Sequence, residues 1–301
     1  MKKIRTAAAV LLAALALPAC STANPMGTST SSASTDSVVV GSANFPENEL
    51  LADIYAGALK AKGVTVTTKL NIGSRETYVP ALKSGEINVL PEYTGSFALY
   101  LDKAADVADE AKALASLKAA LPDTLTVLAP SKAQDKDSVV VTAETASKYS
   151  LKAIGDLAPV ASQLVLGGPP EWPSRANGVP GLTRVYGVTF KEFKPLDVAG
   201  PLTVTALKNG QVQAANLFTT DPAIKANNFV VLDDPKSLFG AQNVIPVVSK
   251  AKASPTVTAA LNAVSAKLDT DTLATLVTKV VVDKADASTV ANDWLKANGL
   301  A

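Results

Sequence analysis

The sequence predicts an α/β fold of two lobes, with two strands that cross between them. Segments of strand and helix pattern alternate along the chain, which is typical of sheets covered by helices. About 260 residues follow the N-terminal leader and tether, a length that suits two lobes of ordinary size. Two further β-branched runs, residues 138–142 and 243–249, separate the alternating regions and are suited to crossing between lobes.

The first lobe begins with strands and helices in turn. A β-branched run at residues 37–41 ends in glycine, and an apolar-periodic helix through residue 59 follows it. Residues 64–70 alternate as a strand, residues 78–83 form a helix that Gly85 ends, and residues 87–90 form a short buried strand. This order predicts a parallel sheet with covering helices.

The remainder of the chain repeats this pattern and then returns to the first lobe. A helical stretch at residues 104–121 precedes the first crossing strand. After it we expect a helix near Ile154, a strand at 163–166, helices at 178–186 and 203–208, and a strand ending at Phe218. Three helices should follow the second crossing strand, at 255–267, 271–282 and 288–297. We therefore expect lobe 1 at residues 38–141 plus 247–301 and lobe 2 at residues 142–246.

Residues 1–20 have the pattern of a secretory signal that ends at the only cysteine of the chain. Basic residues precede an apolar run at residues 7–17, and small residues lead to Cys20, so the segment resembles a bacterial lipoprotein signal peptide. The run is shorter than the roughly 20 residues that a membrane span needs. Lipidation of Cys20 would anchor the protein on the extracytoplasmic face of the cell membrane, whereas the alternative is ordinary cleavage elsewhere. Residues 21–37, rich in Ser, Thr and Ala, predict a flexible tether.

The composition excludes several kinds of site. The chain has 28 basic and 27 acidic residues, and its formal net charge of +1 does not indicate a nucleic-acid-binding protein. It contains no histidine, which excludes a Ser/His/Asp or Cys/His nucleophilic site and a histidine-based zinc site. Lipidation would remove the thiolate chemistry of Cys20 as well. We therefore expect no catalytic residue, no metal and no cofactor.

Eight short motifs occur in an order that matches one family. They are GSANFPEN (41–48), LKSGEIN (82–88), PEYTG (91–95), PEW followed by Arg175 (170–175), GVPGL (178–182), FTTD (218–221), NVIPVV (243–248) and ANDWL (291–295). With this collinear set the chain resembles the substrate-binding proteins of ABC importers for glycine betaine, choline, carnitine and related osmoprotectants. The resemblance covers nearly all of the chain after the tether.

The resemblance implies a type II periplasmic-binding-protein-like fold, in which two α/β lobes close around a solute in the cleft between them. It also implies that a membrane permease, working with an ATPase subunit, recognises the loaded protein. We expect the binding protein itself to be a monomer.

The implied ligand class sets the chemistry of the site. A quaternary ammonium donates no N–H hydrogen bond, so aromatic faces hold it by cation–π attraction. Tyr93 of PEYTG and Phe218 before TTD match two ring positions of the family. Two others are missing, because Ser138 and Gln242 stand where relatives have aromatic residues. Exchange of a ring for an amide removes about 0.5–2 kcal/mol of attraction and adds hydrogen-bonding capacity.

For the polar end of the ligand, the resemblance points to Asn48 and Ser96. Arg75 either pairs with a carboxylate of the ligand or is a surface charge, and Trp172 is either a rim aromatic of the cleft or a structural anchor. Phe45 is interpreted as a packing residue and Trp294 as core. The predicted ligand-binding residues are Tyr93, Phe218, Asn48, Ser96, Asn44, Arg75, Thr94, Ser138, Trp172, Thr219 and Gln242.

Three alternatives stay open on the sequence. The same fold with altered specificity would hold an uncharged or aromatic polar solute through Gln242 and Ser138. A sensory or adhesion lipoprotein would have kept the fold and changed its partner. An enzyme is the third alternative, since a cleft with acidic and lysine side chains can host acid/base chemistry, but the sequence shows no paired carboxylates at a recognisable spacing and no phosphate loop.

Overall fold

The computed structural model describes residues 37–301, which form two five-stranded sheets with helices packed on them. The predicted signal peptide with Cys20, and residues 21–36 of the predicted tether, lie outside the described residues. The strands β1 to β10 are, in chain order, Ser37–Gly41, Thr65–Lys69, Val89–Tyr93, Leu125–Val127, Asp137–Thr142, Val165–Gly168, Glu192–Pro195, Ala214–Phe218, Phe229–Val231 and Val244–Ser249. The helices α1 to α11 are Pro46–Ala61, Arg75–Ser84, Thr94–Leu101, Glu110–Ala120, Ala143–Tyr149, Val179–Tyr186, Pro201–Lys208, Pro222–Ala226, Pro255–Lys267, Thr270–Val281 and Ala287–Ala297.

Both sheets are mixed, with three parallel strands at one side. The first sheet has the order β2-β1-β3-β10-β4, and the second has the order β7-β6-β8-β5-β9. β1 is parallel to β2 and β3, and β6 is parallel to β7 and β8, which confirms the predicted parallel arrangement for these strands. β10 and β5 run antiparallel to their neighbours because each enters its sheet from the other lobe.

The two predicted crossing strands are β5 and β10, and each is paired wholly within one sheet. The chain leaves the first sheet after β4 and joins the second at β5, and it returns between β9 and β10. The connecting segments 128–136 and 232–243 therefore carry the chain across, and the expected divisions at 141/142 and 246/247 fall inside β5 and β10. A β-branched run identifies a strand, but the sheet that strand joins depends on distant backbone partners.

Helix ends follow local capping chemistry. Asp109, Asp269 and Asp286 each accept a backbone hydrogen bond at the start of α4, α10 and α11, at 2.9, 2.8 and 2.8 Å. The three predicted C-terminal helices are present as α9, α10 and α11. The predicted helix at 104–121 begins later, at Glu110, because the Asp109 cap fixes its start, and the helix expected near Ile154 is a 3₁₀ turn.

The cores lie between the sheets and their helices. α1 packs with α9 and α11 in a cluster that contains Leu50, Leu51 and Trp294, which confirms Trp294 as a core residue. In the second lobe, Trp172 and Phe239 stack with ring centroids 6.1 Å apart. Among residues 37–301, no helix combines the length and apolar character that crossing a bilayer requires.

Candidate functional site

A cavity lies between residues of the two sheets, next to the carboxyl ends of their parallel strands. The first sheet contributes residues that follow β1 and that end β3, and the second contributes residues that follow β6 and that end β8. Ligands of open α/β sheets bind at such strand ends. The space in this cavity that the centre of a water molecule can occupy is about 40 Å³, which is enough for a few water molecules, and part of the cavity is open to solvent.

Five aromatic residues line this cavity, namely Phe45, Tyr78, Tyr93, Trp172 and Phe218. Tyr93 ends β3, Phe218 ends β8, and Phe45 precedes α1. The Phe45 ring lies 6.2 Å from that of Tyr93 and 4.9 Å from that of Phe218, so the three rings form one continuous wall. Phe45, interpreted as a packing residue, thus also lines the cavity. Trp172 lines it while only 1% exposed, so it is both a wall residue and an anchor of the second-lobe core.

Two buried carboxyl groups, Glu47 and Asp135, adjoin the aromatic wall, and Asp135 lines the cavity itself. The Tyr93 hydroxyl donates to Glu47 Oε1 at 2.7 Å, and the Thr220 hydroxyl donates to Glu47 Oε2 at 2.6 Å. Asp135 accepts from the Thr220 backbone N–H at 3.1 Å. Burial, together with the repulsion between the two carboxylates, raises the pKa of Asp135, and burial raises the pKa of Glu47. The pair therefore favours retaining a proton, which limits the negative charge at this side of the cavity.

Arg75 is bound to the protein itself. Its Nε and Nη2 donate to the two carboxylate oxygens of Glu92 at 3.0 and 2.7 Å, and the Tyr78 hydroxyl donates to the same carboxylate. Burial lowers the pKa of Arg75, but the charge and hydrogen bonds of Glu92, together with Tyr78 and Asp137, raise it more, so the guanidinium stays charged. The Arg75 side chain is 11% exposed and Glu92 is fully buried, so Arg75 is a wall residue of the cavity within an ion pair and not a surface charge.

Arg175, in the loop that follows β6, links the two lobes. Its Nη2 lies 3.1 Å from Glu76 Oε2 on α2 and 3.2 Å from Glu171 Oε1 in its own loop. Its Nε is buried and has no hydrogen-bond partner. Because Arg175 lines the cavity, this donor is available to an acceptor placed there.

Asp137 and Asn216 line the second-lobe side of the cavity. The Asn216 amide nitrogen donates to Asp137 Oδ1 at 2.9 Å, and the Asn177 amide donates to Asp137 Oδ2 at 3.2 Å. Burial raises the pKa of Asp137 despite these donors. Asn216 is fully buried on the central strand β8, and its Oδ1 has no partner.

Seven of the predicted ligand-binding residues line the cavity. One of them, Asn48, is bound to the protein backbone at both ends of its amide. Asn48 accepts from the Ala43 N–H at 2.7 Å and donates to the Pro91 carbonyl at 2.9 Å, so both ends of its amide brace the turn after β1. Ser96 is 8% exposed and Asn44 is exposed. The seven are Asn44, Asn48, Arg75, Tyr93, Ser96, Trp172 and Phe218.

Four other predicted residues lie outside this cavity. Ser138 is on the opposite face of β5 from Asp137, and its hydroxyl donates to the Leu217 carbonyl at 2.7 Å. Gln242 is fully buried, and its Oε1 accepts from the Ser96 N–H at 2.9 Å, so it braces the start of α3. Its Nε2 donates to the Phe239 carbonyl, so both ends of the amide are bound to the protein.

Thr94 and Thr219 are also held by the protein. The Thr94 hydroxyl donates to the Ala241 carbonyl at 3.2 Å and accepts from the Asn243 N–H at 3.1 Å. Thr219 is exposed, and its hydroxyl donates to Asp135 Oδ1 at 3.2 Å. Both residues stabilise the segments that connect the sheets rather than line the cavity.

Sequence reasoning missed several residues of the cavity wall. Asn216 interrupts the otherwise apolar strand β8, and Asp137 is an acidic residue at the start of β5. Both signals were available, because a polar residue in a buried strand needs a specific partner. Arg175 belongs to a recognised motif without having been assigned a role. The polar wall residues that were missed are Ser74, Tyr78, Asp135, Asp137, Glu171, Arg175 and Asn216.

A second, apolar groove adjoins the aromatic wall. Phe45, Phe218 and Val198 line both spaces, and the groove continues to Val277 and Val281 of α10. Asp221 lies at the groove and caps α8, accepting from the Ala223 N–H at 2.8 Å. Burial raises the pKa of the Asp221 carboxyl to about 6.

Asp221→Asn is expected to stabilise the protein at pH 7 and to have little effect at pH 3.5. An acid whose pKa is raised on folding holds its proton more tightly in the native state, so wild-type stability falls as the pH rises from about 4 to 6. The variant keeps the cap and should gain at most about 3 kcal/mol at pH 7. Urea unfolding at both pH values measures this difference. A gain that is equal at the two pH values would contradict the explanation by titration.

The comparisons with known proteins agree on one family. The family model described as the substrate binding domain of ABC-type glycine betaine transport systems matches residues 36–297. The glycine betaine-binding protein YehZ of Escherichia coli is 28% identical over 99% of this chain and 98% of its own. A glycine-betaine-binding protein of Pseudomonas aeruginosa is 27% identical over 89% of this chain and 90% of its own.

A solved structure shares the fold. It is described as a glycine betaine/carnitine/choline ABC transporter and is 24% identical, with a TM-score of 0.68 over 87% of this chain and 99% of the other. This similarity confirms the predicted two-lobe α/β fold. The family match, which spans nearly all of the described residues, also decides between a binding protein and an enzyme. The chain belongs to the family of substrate-binding domains of ABC-type glycine betaine transport systems, which are transport proteins and not enzymes.

Proposed function

We propose that this protein captures a quaternary-ammonium solute of the glycine betaine, choline or carnitine class in the cavity between its lobes and delivers it to a membrane permease. The observation that carries the proposal is the wall of Phe45, Tyr93 and Phe218 beside a cavity with more carboxyl groups than cations. Family membership and the names of the two bacterial relatives support this solute class.

The charges around the cavity favour a cation. Arg75 and Arg175 are each paired with carboxylates, through Glu92 for the first and through Glu76 and Glu171 for the second. Within residues 37–301, no cation lies within ion-pair distance of the Asp135 or Asp137 carboxyl group in the wall. Burial favours the protonated form of both groups, and an ammonium group placed beside them would favour the charged form. Aromatic faces add cation–π attraction of about 0.5–2 kcal/mol per favourable contact.

The ring geometry supports one position for the cation. Phe45 and Phe218 are already in contact, with centroids 4.9 Å apart, so an ammonium group does not fit between them. It would rest on the cavity side of the wall, where it reaches the faces of Phe218 and Tyr93. The polar end of the solute would then extend toward Arg175, whose unpartnered Nε can donate to a carboxylate or hydroxyl oxygen.

Contacts between the lobes support a closing motion. The ion pair between Arg175 and Glu76 and the hydrogen bond between Thr220 and Glu47 join residues on opposite sides of the cavity. We propose that the lobe built on the first sheet and the lobe built on the second sheet separate to admit the solute and close over it, with segments 128–136 and 232–243 connecting them. In this proposal the closed monomer is the form that the permease and its ATPase recognise.

Calorimetric titration tests the solute class. The protein is refolded from denaturant to remove any bound solute and titrated with glycine betaine, choline and carnitine. Micromolar binding of at least one of them is expected. If none of the three binds and an uncharged or aromatic polar solute binds in a broader screen, the result would contradict the proposal and favour the altered-specificity alternative.

We further propose that Cys20 is lipidated and anchors the protein on the extracytoplasmic face of the membrane. The basic N-terminus, the short apolar run and the single cysteine support this anchor. Metabolic labelling with a radioactive fatty acid should mark the wild-type protein and not Cys20→Ala. Equal labelling of the two proteins, or none in a cell that labels other lipoproteins, would contradict lipidation at this residue.

A further inference from the structure

Two unpartnered polar atoms are buried in the same cavity. Within residues 37–301, three buried side-chain nitrogen or oxygen atoms lack a hydrogen-bond partner: Arg175 Nε, Asn216 Oδ1 and Ser265 Oγ. Arg175 and Asn216 both line the cavity, whereas Ser265 lies on α9 in the core of the other lobe. Because buried polar groups are nearly always paired, two exceptions in one cavity indicate that a ligand or water completes them.

The orientation of the Asn216 amide is set by its surroundings. Its nitrogen faces two acceptors, Asp137 Oδ1 at 2.9 Å and the Ser138 carbonyl at 3.3 Å. Reversing the amide would place its oxygen against both of these acceptors, so the reverse assignment is excluded. The amide nitrogen therefore donates to the protein, and the amide oxygen is the atom that can accept a hydrogen bond from a solute.

The strand context holds this oxygen in place. Asn216 is fully buried in the middle of β8, between β6 and β5. On β6, Gly168 leaves room beside it, since a Cβ at that glycine would lie 3.3 Å from Asn216 Cβ and 3.6 Å from the Trp172 ring. A side chain fixed by a central strand and by two hydrogen bonds is preorganised. Its unpaired acceptor therefore favours solutes that place a donor at that point, and it does not move to accommodate other solutes.

We propose that Asn216 is a specificity-determining residue that accepts a hydrogen bond from an O–H or N–H group of the solute. The inference rests on the proposed function and narrows its ligand class to quaternary-ammonium solutes that carry a donor as well as an acceptor. Carnitine has both a hydroxyl and a carboxylate, and choline has a hydroxyl. Glycine betaine has a carboxylate and no donor, so it can satisfy Arg175 Nε and not Asn216 Oδ1.

Water does not remove this selectivity. Before a solute binds, a water molecule can donate to Asn216 Oδ1, but a solute that displaces the water must replace that hydrogen bond or lose affinity. A hydroxyl replaces it, and a methylene group leaves a buried acceptor unpaired. The preference therefore comes from the cost of binding the solute that lacks the donor.

A matched pair of solutes tests the inference. Carnitine and γ-butyrobetaine have the same quaternary ammonium and carboxylate on a chain of the same length, and they differ only in the hydroxyl. Calorimetric titration of the wild-type protein should show that carnitine binds at least about tenfold more tightly, a difference of about 1.4 kcal/mol. In Asn216→Leu this ratio should fall toward one, whatever change in overall affinity the loss of the bond to Asp137 causes.

Ser265→Ala serves as the control variant, because it removes the unpartnered oxygen that lies away from the cavity. Its carnitine to γ-butyrobetaine ratio should equal that of the wild type. If Asn216→Leu does not fold, choline and propyltrimethylammonium provide the comparison on the wild-type protein, since a methyl group of similar size replaces the hydroxyl. Propyltrimethylammonium should bind at least about tenfold more weakly than choline.

The outcomes separate the inference from the function on which it rests. Equal binding of carnitine and γ-butyrobetaine to the wild type, or a ratio that survives in Asn216→Leu, would overturn the role of Asn216 and leave a quaternary-ammonium receptor. Failure of every quaternary-ammonium solute to bind would overturn the proposed function, and the inference with it.

Discussion

Glu92→Gln is expected to lower the free energy of unfolding by about 3–5 kcal/mol. The Glu92 carboxylate is fully buried and neutralises Arg75, whose side chain is only 11% exposed. Glutamine has nearly the same shape and can still accept a hydrogen bond, so the loss comes from a buried guanidinium without a counter-ion. Urea unfolding of the two proteins measures the difference. A change below about 1 kcal/mol would mean that solvent already screens Arg75, as it does exposed pairs.

A triple variant separates the charge from the fold. Arg75→Met, Tyr78→Phe and Glu92→Leu together replace the ion pair and the hydroxyl that donates to it by apolar groups of similar size. Buried ion pairs can often be replaced in this way without loss, so the triple variant should recover at least half of the stability that Glu92→Gln loses. A triple variant as unstable as the single one would show that the site needs its hydrogen bonds rather than charge balance.

Tyr93→Leu is expected to weaken binding of the quaternary-ammonium solute at least tenfold, a loss of about 1.4 kcal/mol. Tyr93 ends β3 and lines the cavity, and we expect its ring to attract the cation of the solute there. Leucine keeps an apolar side chain at the position and removes the π face. Calorimetric titration, with circular dichroism to verify the fold, measures the effect. Wild-type affinity in the folded variant would contradict a role of this ring in binding.

Tyr93→Phe is the matched control for that experiment. It keeps the ring and removes the hydroxyl, which donates to Glu47 at 2.7 Å behind the wall. Because the hydroxyl is directed away from the solute, toward a carboxylate of the protein, the affinity should fall by less than about threefold, roughly half the free energy expected for Tyr93→Leu. A phenylalanine variant as weak as the leucine variant would assign the effect to the Glu47 cluster instead.

Much of the fold was predictable because its signals are local. β-branched runs, prolines at helix starts and acidic caps are properties of short segments, and the three C-terminal helices lie where these patterns predict them. The pairing of β5 and β10 was not predictable in this way. Their partners are β8 and β9 for one and β3 and β4 for the other, and no local pattern encodes a partner so distant in sequence.

The site residues also divide into those with a local sequence signal and those without one. Tyr93 and Phe218 come at strand ends within recognisable motifs, and both line the cavity. Ser138 does not line the cavity, whereas its neighbour Asp137 does. Successive side chains of a strand point to opposite faces, so a shift of one position changes which residue meets the cavity.

Partners distant in sequence decided the remaining assignments. Arg75 was open between a ligand contact and a surface charge, because its counter-ion Glu92 lies 17 residues away and is buried. Gln242 resembled a lost aromatic position, yet its amide pairs with the Ser96 backbone 146 residues away. Side chains whose roles depend on such contacts are assigned only when the fold brings the partners together.

The most direct test of the account is a crystal structure of the protein with carnitine bound. We expect the ammonium on the cavity side of the aromatic wall, within about 6 Å of the Tyr93 and Phe218 ring centroids. The hydroxyl should lie within hydrogen-bond distance of Asn216 Oδ1 and a carboxylate oxygen near Arg175 Nε. Carnitine in the apolar groove on the far side of Phe45 and Phe218, with the cavity unchanged, would contradict the assignment of this cavity as the binding site.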